Sequence, residues 1–306
     1  MKGAPSYREL NAAREVEAAP RLHVAVVNGW GDFRTESVAA LQERLSSREG
    51  GVRLSLIDLL GTFADSEKLH LFLLAFPRVR IFLPMESGHP AEVLNLFFRE
   101  SPAEFTALLP CSAGLEILDA EALSRFDEET PRFAVLPIVR LGSAVQETAY
   151  LWRETGKSLE LARRAPRNGE RSAAPWHGAA IYARRIFLEM GGFDPSFDSL
   201  FAMHLDLWLR AAEAGLSSVV DDRFVLSSAD RTHERTTVFR REFDLVKLAH
   251  FLERPPRGRF ARRLVSAFLR GRPGEWRRVR QIAKKRRERR GTRNMADREL
   301  LARLQG

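Results

Sequence analysis

The sequence predicts an α/β fold in which helices flank a mainly parallel β-sheet. Short apolar runs rich in branched residues alternate with amphipathic helical patterns along the first half of the 306 residues, and this order is typical of βαβ units. Hydrophobic residues make up 44% of the chain, which is enough for a sizeable core and excludes a wholly disordered protein. Cys111 is the only cysteine, so a disulfide scaffold is excluded as well.

The first half contains four predicted strands with three predicted helices between them. The strands are expected at 22–27, 52–58, 79–83 and 104–109, and the helices at 35–45, 65–76 and 90–99. Thr35 is suited to cap the first helix, Pro77 stops the second, and Pro90 lies in the first turn of the third. Each of the first three strands is therefore followed by a helix that can carry the chain back along the sheet.

The second half has a less regular pattern. Residues 132–140 alternate like a strand, and 141–175 are polar and mixed, which we interpret as a helix followed by a loop. The remaining elements are a short apolar run at 178–183, helices at 184–190, 205–214 and 234–252, and a strand at 218–220. Gly215 ends the helix at 205–214, and prolines at 255 and 256 end the last helix.

The loops that follow the strands are the candidate ligand sites, because open parallel sheets bind ligands beyond the carboxyl ends of their strands. These loops lie at 28–32, 58–61 and 110–114. Glycines beside Asn28 can bring backbone N–H groups close to a ligand, and Asp58 can accept hydrogen bonds from a base or a ribose. The alternative is structural: the glycines form turns and Asp58 caps a helix.

A series of motifs between residues 176 and 220 is the most specific feature of the sequence. A small-residue strand is followed by two arginines at 184 and 185, a helix, and the turn Gly-Gly-Phe-Asp-Pro-Ser-Phe at 191–197. The sequence Asp-Leu-Trp-Leu-Arg follows at 206–210. In this order the motifs resemble those of family-2 glycosyltransferases, and a weaker resemblance extends the match to about residues 22–250.

The resemblance implies a GT-A fold over 22–253, with a nucleotide-sugar half at 22–130 and an acceptor half at 131–253. The implied reaction is the inverting transfer of a hexose from a UDP- or dTDP-type nucleotide sugar to a glycan or lipid-linked acceptor, in cell-envelope polysaccharide synthesis. In that family Mg²⁺ or Mn²⁺ offsets the charge of the diphosphate, and a carboxylate takes the proton of the acceptor.

The resemblance also implies which residues form the site. On the nucleotide-sugar side they are Asn28, Asp58 and Ser112. On the acceptor side they are Trp176, His177, Gly178, Gly192, Phe193 and Asp194. Trp176 is suited to stack on a sugar or a base, with a plain core tryptophan as the alternative. Asp194 lies in the turn at 191–197, where a structural hydrogen-bonding role is the alternative.

The metal site departs from the family's pattern. After the fourth strand the family has an Asp-x-Asp type motif and then a helix, which aligns with Leu115–Leu123. Residues 110–114 of this chain contain no carboxylate, and Cys111 and Ser112 are poor ligands for Mg²⁺ or Mn²⁺. Two arginines, Arg231 and Arg235, are candidates to neutralise the diphosphate instead.

The catalytic acids depart from the pattern too, because Met203 and His204 stand where the family has an acidic pair. We predict His204 as the base, since neutral imidazole accepts protons near pH 7. Asp206 aligns with the last acid of the motif, either as a catalytic group or to hold the helix and loop in place. A different hypothesis is a GT-A-fold pseudoenzyme that acts as a binding or scaffold subunit.

The charge is concentrated in the C-terminal tail. The chain carries a net charge of +9, but residues 254–306 contain 19 Lys and Arg against 4 Asp and Glu. Residues 257–290 suit an anionic membrane surface, with Phe260, Leu264 and Phe268 on one helical face. Packing on the acidic body and binding to nucleic-acid phosphates are the alternatives. The resemblance favours the membrane, and no recognised nucleic-acid motif accompanies the basic run.

The expected location is the cytoplasm, with peripheral association at the inner membrane face. No apolar run approaches the roughly 18–20 residues that span a bilayer, and the single cysteine fits a reducing compartment. Residues 1–21 form a polar leader without an apolar signal core.

Overall fold

A computed structural model shows a large mixed sheet flanked by helices, with a separate β-hairpin. It describes residues 7–10, 20–29, 33, 35–46, 52–63, 66–84, 88–128, 131–155, 158–228, 243, 245–247, 249–251, 279–285, 288 and 296–305. The predictions about Arg231 and Arg235, and about the apolar face at Phe260, Leu264 and Phe268, lie outside the described residues.

The N-terminal half is a parallel βαβ array with one antiparallel edge strand. Its strands are β1 (Tyr7–Leu10), β2 (Leu22–Asn28), β3 (Val52–Asp58), β4 (Arg80–Pro84) and β5 (Phe105–Pro110). Its helices are α1 (Thr35–Ser46), α2 (Ser66–Ala75) and α3 (Pro90–Glu100). The strand order is β1-β4-β3-β2-β5, and only β1, within the predicted leader, pairs antiparallel. The structure therefore confirms the elements predicted between residues 22 and 110.

The C-terminal half continues the same sheet with mixed pairing. Its strands are β6 (Ala113–Leu118), β7 (Arg132–Leu141), β8 (Ala144–Val145), β9 (Ala149–Thr155), β10 (Ser158–Arg164), β11 (Ala180–Ala183) and β12 (Ser217–Ser228). Its helices include α4 (Arg184–Glu189), α5 (Leu200–Glu213) and a C-terminal helix (Asp297–Gln305). The order beyond β5 is β11-β7-β12-β6, with β8 on β7, while β9 and β10 form the separate hairpin.

Three segments differ from the sequence-based prediction. The helix expected at Leu115–Leu123 is replaced by β6 and a 3-10 helix (Ala120–Asp127), because β6 adds to β12 at the sheet edge. The helix expected within 141–175 is replaced by β8 and the β9–β10 hairpin, where Tyr150 and Trp152 alternate into the core with period two. Helix α5 starts at Leu200 rather than Leu205, because the Ser199 side chain caps it by accepting a hydrogen bond from the Ala202 N–H at 3.1 Å.

The core lies on both faces of the sheet. Alternating residues of β2 divide between them: Val24 and Val26 pack with α1 and α2, whereas Ala25 and Val27 pack with α3 and α5. Val279 and Ile282 are buried in the second of these clusters. The described part of the basic tail therefore packs on the body, which is one of the three partners that the sequence suggested. Within the described ranges, no helix has both the length and the apolar character needed to cross a membrane.

Candidate functional site

A buried hydrogen-bonded cluster joins the carboxyl ends of β2, β3 and β5. Asn28 and Asp58 are partners in the parallel register, and the Asn28 Nδ2 donates to Asp58 Oδ1 and to Thr62 Oγ1, both at 2.7 Å. The Phe63 N–H donates to Asp58 Oδ2 at 2.8 Å, and the Cys111 thiol donates to Asn28 Oδ1 at 3.6 Å. Asn28 and Asp58 therefore hold the loop after β3, while a role in ligand binding stays a prediction.

The turn between β5 and β6 does not fit a Mg²⁺ or Mn²⁺ site. Cys111 is buried and bonded to Asn28, and Ser112 is half-buried beside it. Among the residues that the structure describes, no group of three or more His, Cys, Asp and Glu side chains could hold a metal ion. Hard divalent cations need several oxygen ligands, preferably carboxylates, so the residues present at this turn do not supply the metal site that the resemblance implies.

The first turn of α5 packs against the loops that follow β2 and β3. A Cβ added at Gly29 would lie 2.5 Å from Leu200 Cδ1 and 3.6 Å from Leu59 Cδ1. A larger residue at this position would have to displace the end of the Leu200 side chain. Gly29 therefore lets the start of α5 reach the edge of the sheet where the strand-end cluster lies.

His204, in the second turn of α5, lies beneath Gly178. Its Nδ1 is 2.6 Å from the Leu200 carbonyl oxygen, which can only accept, so Nδ1 carries the proton and Nε2 the lone pair. No described residue forms a hydrogen bond with Nε2, and a Cβ added at Gly178 would lie 2.9 Å from it. Burial lowers the pKa of His204 to about 4, against a smaller upward effect of its bond to the Leu200 carbonyl.

The turn Trp176–Gly178 carries three of the six acceptor-side residues that sequence analysis predicted. His177 has φ +44°, an uncommon conformation for a residue other than glycine, and its ring meets Trp176 edge-on at 4.6 Å. Burial, and then the positive charge of Arg163, lower the pKa of His177 to about 4. The turn packs on both β5 and α5, so it brings Trp176, His177 and Gly178 to the edge where Asn28 and Asp58 end their strands.

Asp206 lies within an ion-pair network of α5. Its Oδ2 accepts from Arg210 Nε at 2.8 Å, and its Oδ1 is 2.8 Å from His250 Nε2. Arg210 in turn donates to the carbonyl oxygens of Met190 at 2.7 Å and Gly192 at 2.6 Å. This network ties α5 to the neighbouring turn and to the segment that contains His250. The arrangement fits the structural alternative for Asp206, in which it holds the helix and loop in place.

The turn at 191–197 is clasped by Asn95 of α3. Asn95 Oδ1 accepts from the Phe193 N–H at 2.7 Å, and its Nδ2 donates to the Phe193 carbonyl at 2.8 Å. Gly192 has φ +69° and leaves no room for a side chain beside Asn95. The Phe193 ring reaches the His204 ring at 4.7 Å. Asp194 forms an ion pair with Lys285 at a surface cavity of about 400 Å³.

The structure therefore divides the predicted site residues into two groups. One group lies at the carboxyl edge of the sheet and consists of Asn28, Asp58, Ser112, Trp176, His177, Gly178 and His204. The other lies around the turn at 191–197 and consists of Gly192, Phe193, Asp194 and Asp206, connected to the first through the contact of Phe193 with His204.

Two residues near the edge were not found from the sequence. The Arg163 guanidinium lies 5.6 Å from the centre of the Tyr150 ring, and Tyr150 lies 5.7 Å from Phe201 in the first turn of α5. The alternating pattern of β9 and β10 is the signal that could have placed Arg163 and Tyr150 on one face.

Comparisons of the sequence identify no relatives. No protein-family model matches the chain, and no curated protein sequence matches it.

Comparison of the structure identifies a class of fold. The chain has the fold of GT-A-type glycosyltransferases, which confirms the fold class predicted from the sequence. One such structure is GalNAc-T7 with UDP, GalNAc and Mn²⁺, at a TM-score of 0.60 and 14% identity over 88% of this chain. The chain spans 55% of that structure's length.

Two other matches are less similar. TarS 1–349 of S. aureus has a TM-score of 0.47 and 12% identity, covering 90% of this chain and 72% of that one. The mannosyltransferase PcManGT of Pyrobaculum calidifontis, in complex with GDP-Man and Mn²⁺, has a TM-score of 0.45 and 12% identity. The match covers 92% of this chain and 73% of that one.

Proposed function

We propose that the chain transfers a sugar from a nucleoside-diphosphate sugar to a hydroxyl group, with the donor at the carboxyl ends of β2, β3 and β5. The observation that carries this proposal is the position of α5, whose first two turns touch Gly29 and Gly178 and so join loops from both halves of the chain. Open α/β sheets bind ligands at this edge. The likeness in fold to a glycosyltransferase with bound UDP supports the donor class.

The nucleotide is proposed to be of the UDP or dTDP type and to contact Asn28, Asp58 and Ser112. Asp58 Oδ1 accepts a hydrogen bond from Asn28 Nδ2, and Oδ2 accepts one from the Phe63 N–H. Each oxygen has a further lone pair for a base or ribose donor. Ser112 belongs to the turn next to this cluster, where its hydroxyl can meet the ligand.

The acceptor is proposed to be a glycan or a lipid-linked sugar in cell-envelope polysaccharide synthesis, with inversion at the transferred carbon. The support for this acceptor class is the resemblance of the motifs at 176–220 to family-2 glycosyltransferases. Trp176 is half-buried beside the site and offers an aromatic face of the kind that stacks on sugars. Peripheral binding to an anionic inner membrane face through residues 257–290 belongs to the same proposal.

His204 is the proposed base. Its hydrogen bond to Leu200 leaves the Nε2 lone pair to take the acceptor proton as the acceptor oxygen bonds to the sugar carbon. Gly178 covers Nε2, so the turn Trp176–Gly178 has to move before an acceptor can reach it. The same movement would admit water and reduce the desolvation that lowers the pKa of His204. Asp206 is proposed to position α5 through Arg210 and His250.

The test is thermal unfolding of the protein with UDP, dTDP, GDP and their sugar conjugates, each with and without Mn²⁺. A ligand that binds only the folded state raises the melting temperature, by an amount that corresponds to about 2.7 kcal/mol at a hundredfold excess over Kd. We expect a rise with UDP or dTDP compounds and none with GDP compounds.

Absence of any nucleotide-dependent rise would contradict the proposal and favour a scaffold subunit. Where a rise is found, His204→Gln should retain it and lose transfer to a lipid-linked acceptor by at least a hundredfold, since general bases contribute about 10²–10⁴-fold.

A further inference from the structure

We propose that Arg163 supplies the positive charge that holds the donor's diphosphate, so that donor binding does not need a divalent metal. This inference rests on the proposed function and specifies how its donor site works. At the turn between β5 and β6, the described residues provide no carboxylate cluster for Mg²⁺ or Mn²⁺. A diphosphate at the sheet edge still needs compensating charge, because two phosphates carry several negative charges.

Arg163 is positioned by the β9–β10 hairpin. It lies directly opposite Tyr150 in the antiparallel register, so both side chains share one face of the hairpin. Its guanidinium carbon is 5.6 Å from the centre of the Tyr150 ring, within the range of a cation–π contact. Tyr150 is fully buried, whereas Arg163 is exposed. A rigid aromatic side chain thus supports a charged group that solvent, and hence an anion, can reach.

Tyr150 ties this arginine to the candidate site. The Tyr150 N–H donates to Ser172 Oγ at 2.9 Å, and its carbonyl accepts from the Ala173 N–H at 2.7 Å. Residues 172 and 173 lead directly into the turn Trp176–Gly178. The centre of the Tyr150 ring also lies 5.7 Å from that of Phe201, in the first turn of α5. The positive charge of Arg163 also acts on His177, whose pKa it lowers in addition to the larger effect of burial.

The chemistry of a guanidinium suits this position. Arginine stays protonated at all physiological pH values and forms paired hydrogen bonds with phosphate oxygens. During transfer, the bond between the sugar carbon and the β-phosphate oxygen breaks, and both electrons stay on that oxygen. The acceptor oxygen forms the new bond to the carbon and gives its proton to the base. The charge that develops on the leaving oxygen is stabilised by Arg163.

The experiment measures calorimetric binding of UDP and dTDP to the full-length protein in EDTA, and then in Mn²⁺. The variants are Arg163→Ala, Arg163→Lys and the control Arg153→Ala. Arg153 is an exposed arginine on β9, and its position in the register places it on the opposite face of the same hairpin. Because both substitutions replace an arginine with alanine, they make the same change in net charge. Circular dichroism and thermal unfolding check that each variant is folded.

We expect the unmodified protein and Arg153→Ala to bind UDP or dTDP equally well in EDTA and in Mn²⁺. Arg163→Ala should weaken this binding by about tenfold to a hundredfold, the range of a charge-assisted contact, while uridine or thymidine, which lack phosphate, should bind all variants alike. The affinity of Arg163→Lys for UDP or dTDP should lie between those of the unmodified protein and Arg163→Ala, because lysine keeps the charge and loses the paired hydrogen-bond geometry.

Loss of binding by the unmodified protein in EDTA, with recovery in Mn²⁺, would overturn the inference and leave the proposed function standing. Equal affinity of Arg163→Ala and Arg153→Ala for UDP or dTDP would also overturn the inference without affecting the proposed function. If the unmodified protein binds no nucleotide under either condition, the proposed function fails and the inference fails with it.

Discussion

The contact between Gly178 and His204 links the turn Trp176–Gly178 to α5 at the level of single atoms. Gly178 has φ +77°, and a Cβ there would lie 2.7 Å from His204 Cε1. A side chain at this position meets two separate obstacles: an unfavourable backbone conformation and an imidazole ring fixed by its bond to Leu200.

Replacing Gly178 with alanine should separate those two effects. Gly178→Ala should lower the free energy of unfolding by about 2–4 kcal/mol, from backbone strain of about 1 kcal/mol or more together with overpacking. In a His204→Ala background only the strain should remain, so the same substitution should cost about 1 kcal/mol. Urea denaturation of the four proteins measures both values. Equal costs in the two backgrounds would show that Gly178 and His204 do not touch.

Three of the buried histidines give the protein a second residue-scale property, sensitivity to mild acid. Burial lowers the pKa of His23 well below its usual value, with further lowering by Arg80 and Arg53, and lowers the pKa of His177 and His204 to about 4. In the unfolded chain these groups bind protons near pH 6.5, whereas in the folded chain they stay neutral. The unfolded state therefore binds more protons as pH falls from about 6.5 towards 4, so stability is lost in that window.

The expected slope is on the order of 1.4 kcal/mol per pH unit for each histidine, once the pH is well below 6.5. Urea denaturation at pH 7.5, 6.0 and 5.0 measures it. His204→Gln should reduce the slope by the share of one histidine, whereas the control His70→Gln, at an exposed position of α2, should leave it unchanged. A stability that stays constant between pH 7.5 and 5.0 would contradict the buried, neutral state of these rings.

At the scale of elements, the sequence identified the N-terminal half well because its signals are local. The strands β2 to β5 are short and mostly apolar segments, and prolines mark the end of α2 and the start of α3. The β9–β10 hairpin was missed because its alternating pattern is imperfect, since the charged residue Arg163 lies on the same face as the buried residues Tyr150 and Trp152. The first turn of α5 was missed because Ser199 was not recognised as its cap.

The candidate site was predictable to the same extent. Asn28 and Asp58 were predicted because each ends a strand that the local sequence indicates. His204 was predicted because it lies within the series of motifs between residues 176 and 220. Arg163 and Asn95 could not be found in this way, since each reaches the site through a partner more than ten residues away, across a hairpin or between a helix and a distant turn. Such contacts depend on register and packing, which a single sequence specifies only weakly.

The clasp between α3 and the turn at 191–197 gives an element-scale prediction. Asn95→Ala removes both hydrogen bonds to Phe193 and should lower the free energy of unfolding by about 2–3 kcal/mol, since buried backbone groups lose their partners. It should also loosen the contact of Phe193 with His204. The control Glu92→Ala, at an exposed position of the same helix, should change stability by less than about 0.5 kcal/mol. Chemical denaturation compares the two, and similar values would contradict the clasp.

At the scale of the whole molecule, the candidate donor site lies at one edge of the sheet. The carboxyl ends of β2, β3 and β5, the turn Trp176–Gly178 and the start of α5 meet there. The described part of the basic tail packs on the body through Val279 and Ile282 and through the ion pair of Lys285 with Asp194. It therefore contacts the turn at 191–197, which carries the second group of predicted site residues.

The most direct test of the central claim is to block that edge with a bulky side chain and measure nucleotide binding by calorimetry. Ser112→Trp places an indole at the turn between β5 and β6, and the control Ala75→Trp places one at an exposed position at the end of α2, which leads to the amino edge of the sheet. We predict that Ser112→Trp weakens UDP or dTDP binding at least tenfold and that Ala75→Trp binds like the unmodified protein. Unchanged binding in Ser112→Trp, with both variants folded, would contradict a donor site at the carboxyl edge of the sheet.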